Sequence, residues 1–268
     1  MRRVTESRNW PESWKLSYHY DQLEVYGAAP RSGYAYAYRE RRKYVLDYLQ
    51  RRVPSGARIL DVAAAQGNFT LTLAELGYAV TWNDLRFELA EYVKAKYEYG
   101  IVEYAPGNVL ELAVGEPFDA ILLAEVVEHV AHPDQFLRKV SDLLRPGGWI
   151  ILTTPNGGYI RNRLPRFSDC KSPEQYEDMQ FRPDGDGHIF LLHDDEIIRL
   201  SRLAGLEVHE LRHYCNPLTS GHLKLGSALK VIPKSVVDAI ERMTASLPAR
   251  AVRKVHTGTV AALRKVRV

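Results

Sequence analysis

Cysteine is scarce in this chain: Cys170 and Cys215 are the whole supply among 268 residues. Two thiols do not make the disulfide framework of a small secreted domain, so a reducing, cytoplasmic setting is the expectation. Long apolar runs are missing too, and none approaches the roughly 20 residues needed to cross a bilayer as a helix. The opening Met1-Arg2-Arg3, followed by Glu6, Arg8, Asn9 and Trp10, has no apolar stretch of the signal-peptide kind. There is no internal repeat and no low-complexity tract. A G-x-G-x-x-G fingerprint is absent as well. The turn where it would matter, Ala63 to Gly67, holds one glycine, which removes the dinucleotide-binding reading.

What remains is ordinary globular material. At 46% hydrophobic and 26% charged residues, the 30.5 kDa chain can bury a sizeable core as one domain with embellishments. The net charge of +3 is unevenly spread. Residues 1–220 carry 26 basic and 31 acidic side chains, whereas residues 221–268 carry 10 and 2. A basic end on an acidic body suits an anionic surface or substrate, or simply a solvated helix face.

The pattern is strand alternating with helix, which predicts an α/β fold with a parallel sheet. Arg58 to Val62 reads as a buried strand ending in acidic Asp61, and Asn68 onward as a helix stopped at Gly77. The small-residue turn between them would let a ligand approach the backbone beside a helix N-terminus. Tyr78 to Trp82 predicts a second strand, with Asn83-Asp84 at its tip and an amphipathic helix over Leu85 to Tyr99. An acid in that place can accept from both hydroxyls of a ribose, or cap the helix that follows. Further strands are predicted at Ile101 to Tyr104, Phe118 to Leu123, Trp149 to Thr153 and Leu206 to Leu211. Upstream, Tyr34 to Arg52 has helical spacing, and residues 1–30 are rich in tyrosine and tryptophan suited to packing.

In order along the chain stand Asp61-x-Ala63-x-Ala65-x-Gly67, Phe118-Asp119-x-Ile121, Glu125-x-x-Glu128-His129-Val130, and Leu144-Arg-Pro-Gly-Gly-x-Ile-Ile-Leu-Thr-Thr-Pro-Asn156. This set resembles class I S-adenosylmethionine-dependent methyltransferases, in particular the ubiquinone-biosynthesis O-methyltransferase group, over roughly residues 55–212. The resemblance implies a Rossmann-like seven-stranded sheet with helices on both faces, closed by an antiparallel strand at Thr257 to Lys265. It also divides the chain: a helical cover over 1–53, a core over 54–216 with a polar lid at 157–187, a basic insertion over 217–255, and the closing strand in 256–268. The lid carries Arg161, Arg163, Arg166 and Arg182, with Pro183-Asp184-Gly185-Asp186 beyond.

For cofactor contacts, the resemblance assigns Asp61, Ala63, Ala65 and Gly67 to the methionine end, Asp84 to the ribose and Asn108 to the adenine, with Asn68, Phe69, Leu85 and Val109 as further cofactor-binding positions. Glu125 would line the cleft edge. The departures are Ala63 and Ala65 where the family has glycine, and Asn108 where it has an acid. Alanine tolerates positive φ poorly, so either position is strained if the loop requires it.

Methyl transfer from a sulfonium rests mainly on in-line positioning, with a base required where the acceptor is a protonated hydroxyl. His129 and Glu128 are the catalytic candidates. Glu125, Glu128 and His129, at i, i+3 and i+4, would share a face of one helical turn. With His188 they form a quartet similar to the metal site of small-RNA 3′-end methyltransferases, able to hold Mg or Mn against an acceptor hydroxyl. The same residues serve equally as helix-capping and structural groups. The expected acceptor is an oxygen on a small molecule or a lipid-linked intermediate. A metal-dependent RNA methyltransferase and a non-catalytic cofactor- or partner-binding domain are the rivals, and the acidic body speaks against nucleic acid. In the insertion, Val236, Val237, Ile240, Met243 and Leu247 recur at helical spacing among Lys224, Lys230, Lys234, Arg242, Arg250, Arg253 and Lys254. Such a helix packs on the core or lies against an anionic membrane at the inner face.

Overall fold

The computed structural model describes residues 1–27, 32–113, 115–180, 187–223 and 226–266. Arg182 and residues 183–186 of the expected lid, and Lys224 of the insertion, lie outside them. Seven strands form one sheet: β1 (Arg58–Val62), β2 (Ala79–Asn83), β3 (Ile101–Tyr104), β4 (Phe118–Ala124), β5 (Leu144–Pro155), β6 (Leu206–Tyr214) and β7 (Gly258–Lys265). Their spatial order is β3-β2-β1-β4-β5-β7-β6, with only β7 antiparallel to its neighbours. The carboxyl ends of the parallel strands therefore share one edge. The order reverses between β1 and β4, which opens a crevice there.

Central strands are apolar on both faces because helices cover both. Ile59, Leu60, Ile121, Leu122, Ile150 and Ile151 have no exposed surface. One cluster gathers Leu60, Ile121 and Ile150 with Leu137 and Val140 of α5 (Pro133–Asp142) and Ile197 and Leu200 of α6 (Asp194–Leu203). On the opposite face, Ile59, Leu122 and Ile151 pack with Val45, Tyr48 and Leu49 of α2 (Gly33–Arg52) and Leu73 of α3 (Asn68–Glu75). The helix expected over Leu85 to Tyr99 is confined to α4 (Leu89–Lys96). Residues 85–88 instead turn over the tip of β2, held by the bond from Arg86 N to Asp84 Oδ1 (2.9 Å).

The aromatic leader divides by role. Trp10, Trp14 and Tyr92 stack edge to face with centroids 5.4–5.8 Å apart, anchoring α1 (Glu12–Glu24) on α4. The lid region holds short 3₁₀ turns at Phe167–Asp169 and Pro173–Met179. Between β6 and β7, the insertion folds as α7 (Gly226–Val231), α8 (Lys234–Ala245) and α9 (Ala249–Val255). The apolar stripe of α8 is split: Val237 is fully buried while Met243 is 70% and Val236 44% exposed. Among the described residues, no helix is long and apolar enough to cross a membrane.

Candidate active site

At the crevice beside β1, two adjoining hollows of about 350 and 280 Å³ share Ala63, Arg86 and Glu125. One runs over β2 and β4 past Asp84, Leu85, Asn108, Val109 and His129. The other runs under the cover past Asp61, Ala65, Asn68 and Phe69, roofed by Tyr20, Tyr34 and Tyr38. Together they make an elongated cleft with its waist at Ala63.

The turn after β1 is pinned by its own backbone. Ala64 N donates to Asn83 O (2.9 Å), Ala65 N to Asp84 Oδ2 (2.8 Å), and Trp82 Nε1 to Ala65 O (3.1 Å). These bonds hold Ala63 at φ 52° and Ala65 at φ 46°, both left-handed, so the two alanines occupy conformations that favour glycine. Gly67, also left-handed at 72°, lies outside the cleft lining. A Cβ there would meet Val93 Cγ1 at 2.7 Å, so this glycine serves helix packing as well as the turn.

Asp84 is 3% exposed and fully engaged. Besides the amides of Ala65 and Arg86, it accepts Arg86 Nε (3.0 Å) and Nη2 (3.1 Å). It forms a turn with Arg86 and is not the N-cap of α4, which is Glu88. Asp61 is buried and accepts from Thr70 Oγ1 (2.6 Å). Desolvation, with Asp84 a lesser contributor, raises its carboxyl to about 7. Asn108 Oδ1 accepts from Leu110 N (3.0 Å), capping a short 3₁₀ turn.

Asn68 faces the cleft but is tied into a buried network absent from the sequence reading. Its Nδ2 donates to Asp21 Oδ1 (2.8 Å) and Glu24 Oε2 (2.7 Å), and its Oδ1 accepts from Lys96 Nζ (2.6 Å). Lys96 also bonds both Asp21 oxygens at 2.8 Å and Gln66 O at 2.9 Å. The ammonium is wholly buried, so the cover, the cofactor loop and α4 are fastened at one point.

The expected Glu125-Glu128-His129-His188 quartet contracts to three. Glu125 precedes the helical turn in a left-handed conformation, φ 58°, and pairs with Arg41 of α2 at 3.2 Å. The turn itself is 3₁₀ and spans only Val127–His129, so Glu125 does not belong to one helical turn with Glu128 and His129. Ligand atoms of Glu128, His129 and His188 lie within 4.8 Å of one another. Glu128 is buried, accepts from Thr154 Oγ1 (3.0 Å), and leaves Oε1 without a hydrogen-bond partner. Burial, then the charge of Glu125, push its carboxyl well up. His129 Nδ1 lies 3.3 Å from the Gly187 carbonyl.

The strand order, the crevice at its reversal and a buried acid at the tip of β2 define a Rossmann-like protein built around a nucleoside-sized cleft. Residues 36–211 match the family model described as a methyltransferase domain, and the chain belongs to that family. It is 38% identical over 116 residues to the ubiquinone biosynthesis O-methyltransferase of Xanthomonas axonopodis pv. citri, covering 41% of this chain and 48% of the relative. The chain thus spans about half the length of the curated relatives it matches. Among solved structures, the Haloferax volcanii putative methyltransferase, in complex with the Trm112 activator, aligns over 97% of this chain and 99% of that one. Its TM-score is 0.57 at 16% identity. The N-methyltransferase NodS of Bradyrhizobium japonicum, in complex with S-adenosyl-L-homocysteine, aligns over 85% and 87% with a TM-score of 0.51 at 15% identity. These structures share the fold.

Proposed function

We propose that the chain transfers a methyl group from S-adenosylmethionine to an oxygen of a small-molecule acceptor. The observation carrying this reading is the cleft that joins Asp84 at one end to Asp61 and the Ala63–Ala65 turn at the other. When bound, the cofactor supplies a sulfonium-activated methyl. The residues fit such a ligand: Asp84 accepts from hydroxyls once Arg86 releases it, Leu85 covers a flat ring, and Asp61 faces an ammonium. Arg41 and the tyrosine roof exclude water and carry a carboxylate. The ubiquinone-biosynthesis relatives favour oxygen as the acceptor atom.

His129 lines the cleft and is the proposed base, taking the acceptor hydroxyl's proton. Glu128 is buried, accepts from Thr154 and does not line the cleft, so it is assigned to orienting the turn. A second reading puts a divalent ion on Glu128, His129 and His188, favoured by their proximity and by the unpartnered Glu128 Oε1. It would lower the acceptor hydroxyl's pKa.

Isotope-labelled S-adenosylmethionine incubated with a panel of phenols and catechols tests the proposal. Methylated product is expected, with His129→Ala cutting turnover by about 100-fold or more. Loss of activity in EDTA with recovery in Mg or Mn would favour the second reading, and full activity in EDTA would refute it. Binding of S-adenosylhomocysteine with no turnover on any acceptor would favour a non-catalytic domain.

A further inference from the structure

A cavity of about 320 Å³ lies between α2, α8 and the carboxyl end of β6, and it shares no lining residue with the cleft. Its rim carries Lys43, Lys234 and Arg242, all exposed. Its floor is formed by Glu40, Glu241 and His256, which are 8%, 7% and 1% exposed. His256 Nδ1 lies 3.0 Å from the His213 carbonyl oxygen, which can only accept. Nδ1 therefore carries the ring proton, and Nε2 is an acceptor with no hydrogen-bond partner. Burial lowers the His256 pKa and keeps the ring neutral. Tyr44 and Tyr214, with ring centroids 5.5 Å apart, add an aromatic wall.

Cations at the mouth, hydrogen-bond acceptors at the base and aromatic faces on the side suit one kind of ligand. A phosphate ester would sit at the rim, where ammonium and guanidinium groups give charge-assisted bonds. Hydroxyl groups would point inward to Glu40, Glu241 and His256, and the C–H face of a sugar would rest on the tyrosines. The volume is at the lower end for a small-ligand pocket, about the scale of one phosphorylated hexose. We propose that this cavity is a second ligand site, taking a small phosphorylated sugar or polyol. Tyr214 lines this cavity and Arg41 lines the cleft, where it pairs with Glu125 at 3.2 Å.

Calorimetric titration of the full chain with glucose 6-phosphate, glucose and inorganic phosphate at matched ionic strength tests the site. One-to-one saturable binding of glucose 6-phosphate is expected, with glucose and phosphate each weaker by about tenfold or more. The Lys43→Ala/Arg242→Ala variant, altered only at exposed side chains, should lose about tenfold in affinity. Asp84→Ala, altered in the other cavity, should bind the probe as wild type does. No saturable heat up to about 10 mM probe overturns the proposal. So does undiminished binding by the rim variant, inorganic phosphate binding as tightly as the ester, or loss of binding in Asp84→Ala.

Discussion

Replacing Ala63 and Ala65 by glycine should make the protein more stable, against the usual rule that glycine costs a folded chain. Both alanines sit at left-handed φ values, 52° and 46°, and backbone bonds on either side keep them there. An L-residue with a Cβ pays about 1–2 kcal/mol in that region. Glycine avoids this but gives back about 0.4–1 kcal/mol through the greater freedom of its unfolded chain. The net gain is about 0.5–1 kcal/mol per site, or about 1–2 kcal/mol for the pair. With an unfolding entropy of about 2.1 cal/mol/K per residue, this raises Tm by about 2–4 °C for a chain this size. A thermal melt of the ligand-free double variant followed by circular dichroism reads this directly. A Tm equal to or below wild type would refute the reasoning, because it would mean the turn stores no strain at these positions.

Three further outcomes follow from the site. Arg86→Ala removes the guanidinium that occupies Asp84, and a half-exposed pair of this kind is worth up to about 1 kcal/mol. Titration calorimetry should show S-adenosylhomocysteine binding roughly two- to fivefold tighter, whereas weaker binding would make Arg86 a direct cofactor contact. Lys96→Met leaves Asp21 buried without its cation and should cost about 3–5 kcal/mol in urea unfolding. The Asp21→Leu/Lys96→Met double variant should recover much of that loss, and a single variant as stable as wild type would show that the pair is not fastening the cover. Asp61, raised from 3.8 to about 7, holds its proton more tightly folded than unfolded. Its contribution to stability is therefore complete below pH 4 and lost as pH rises through 7. Asp61→Asn should gain on wild type at pH 8 relative to pH 5 by at least about 1 kcal/mol, and equal changes at both pH values would contradict the shift.

Much of the fold was legible because local pattern and burial agree. Arg58–Val62, Ile101–Tyr104 and Phe118 onward are short apolar runs between turn residues, and they pair as strands at those positions. Leu85 to Leu89 misled the reading because helical spacing says nothing of a competing turn, and Asp84 captures the Arg86 amide before α4 begins. In the site, Ala63, Asp84, Leu85, Asn108, Val109 and His129 do converge on one cleft. Of the proposed metal quartet, Glu125 stands outside the cluster of the other three, and its side chain pairs instead with Arg41 of α2, over 80 residues away. Arg41 and Glu24 were missed because each is an ordinary charged residue in sequence that acquires its role only through long-range packing, whereas Arg86 meets Asp84 two residues away in a turn hidden by the helical spacing. Helical spacing of Val236, Val237 and Met243 likewise could not reveal that only Val237 is buried.

The most direct test of the central claim is titration of the ligand-free protein with S-adenosylhomocysteine beside the Asp84→Ala variant. The cleft predicts one-to-one saturable binding by wild type and a loss of about tenfold or more without the Asp84 carboxylate. No binding by wild type, or equal binding by the variant, would contradict it.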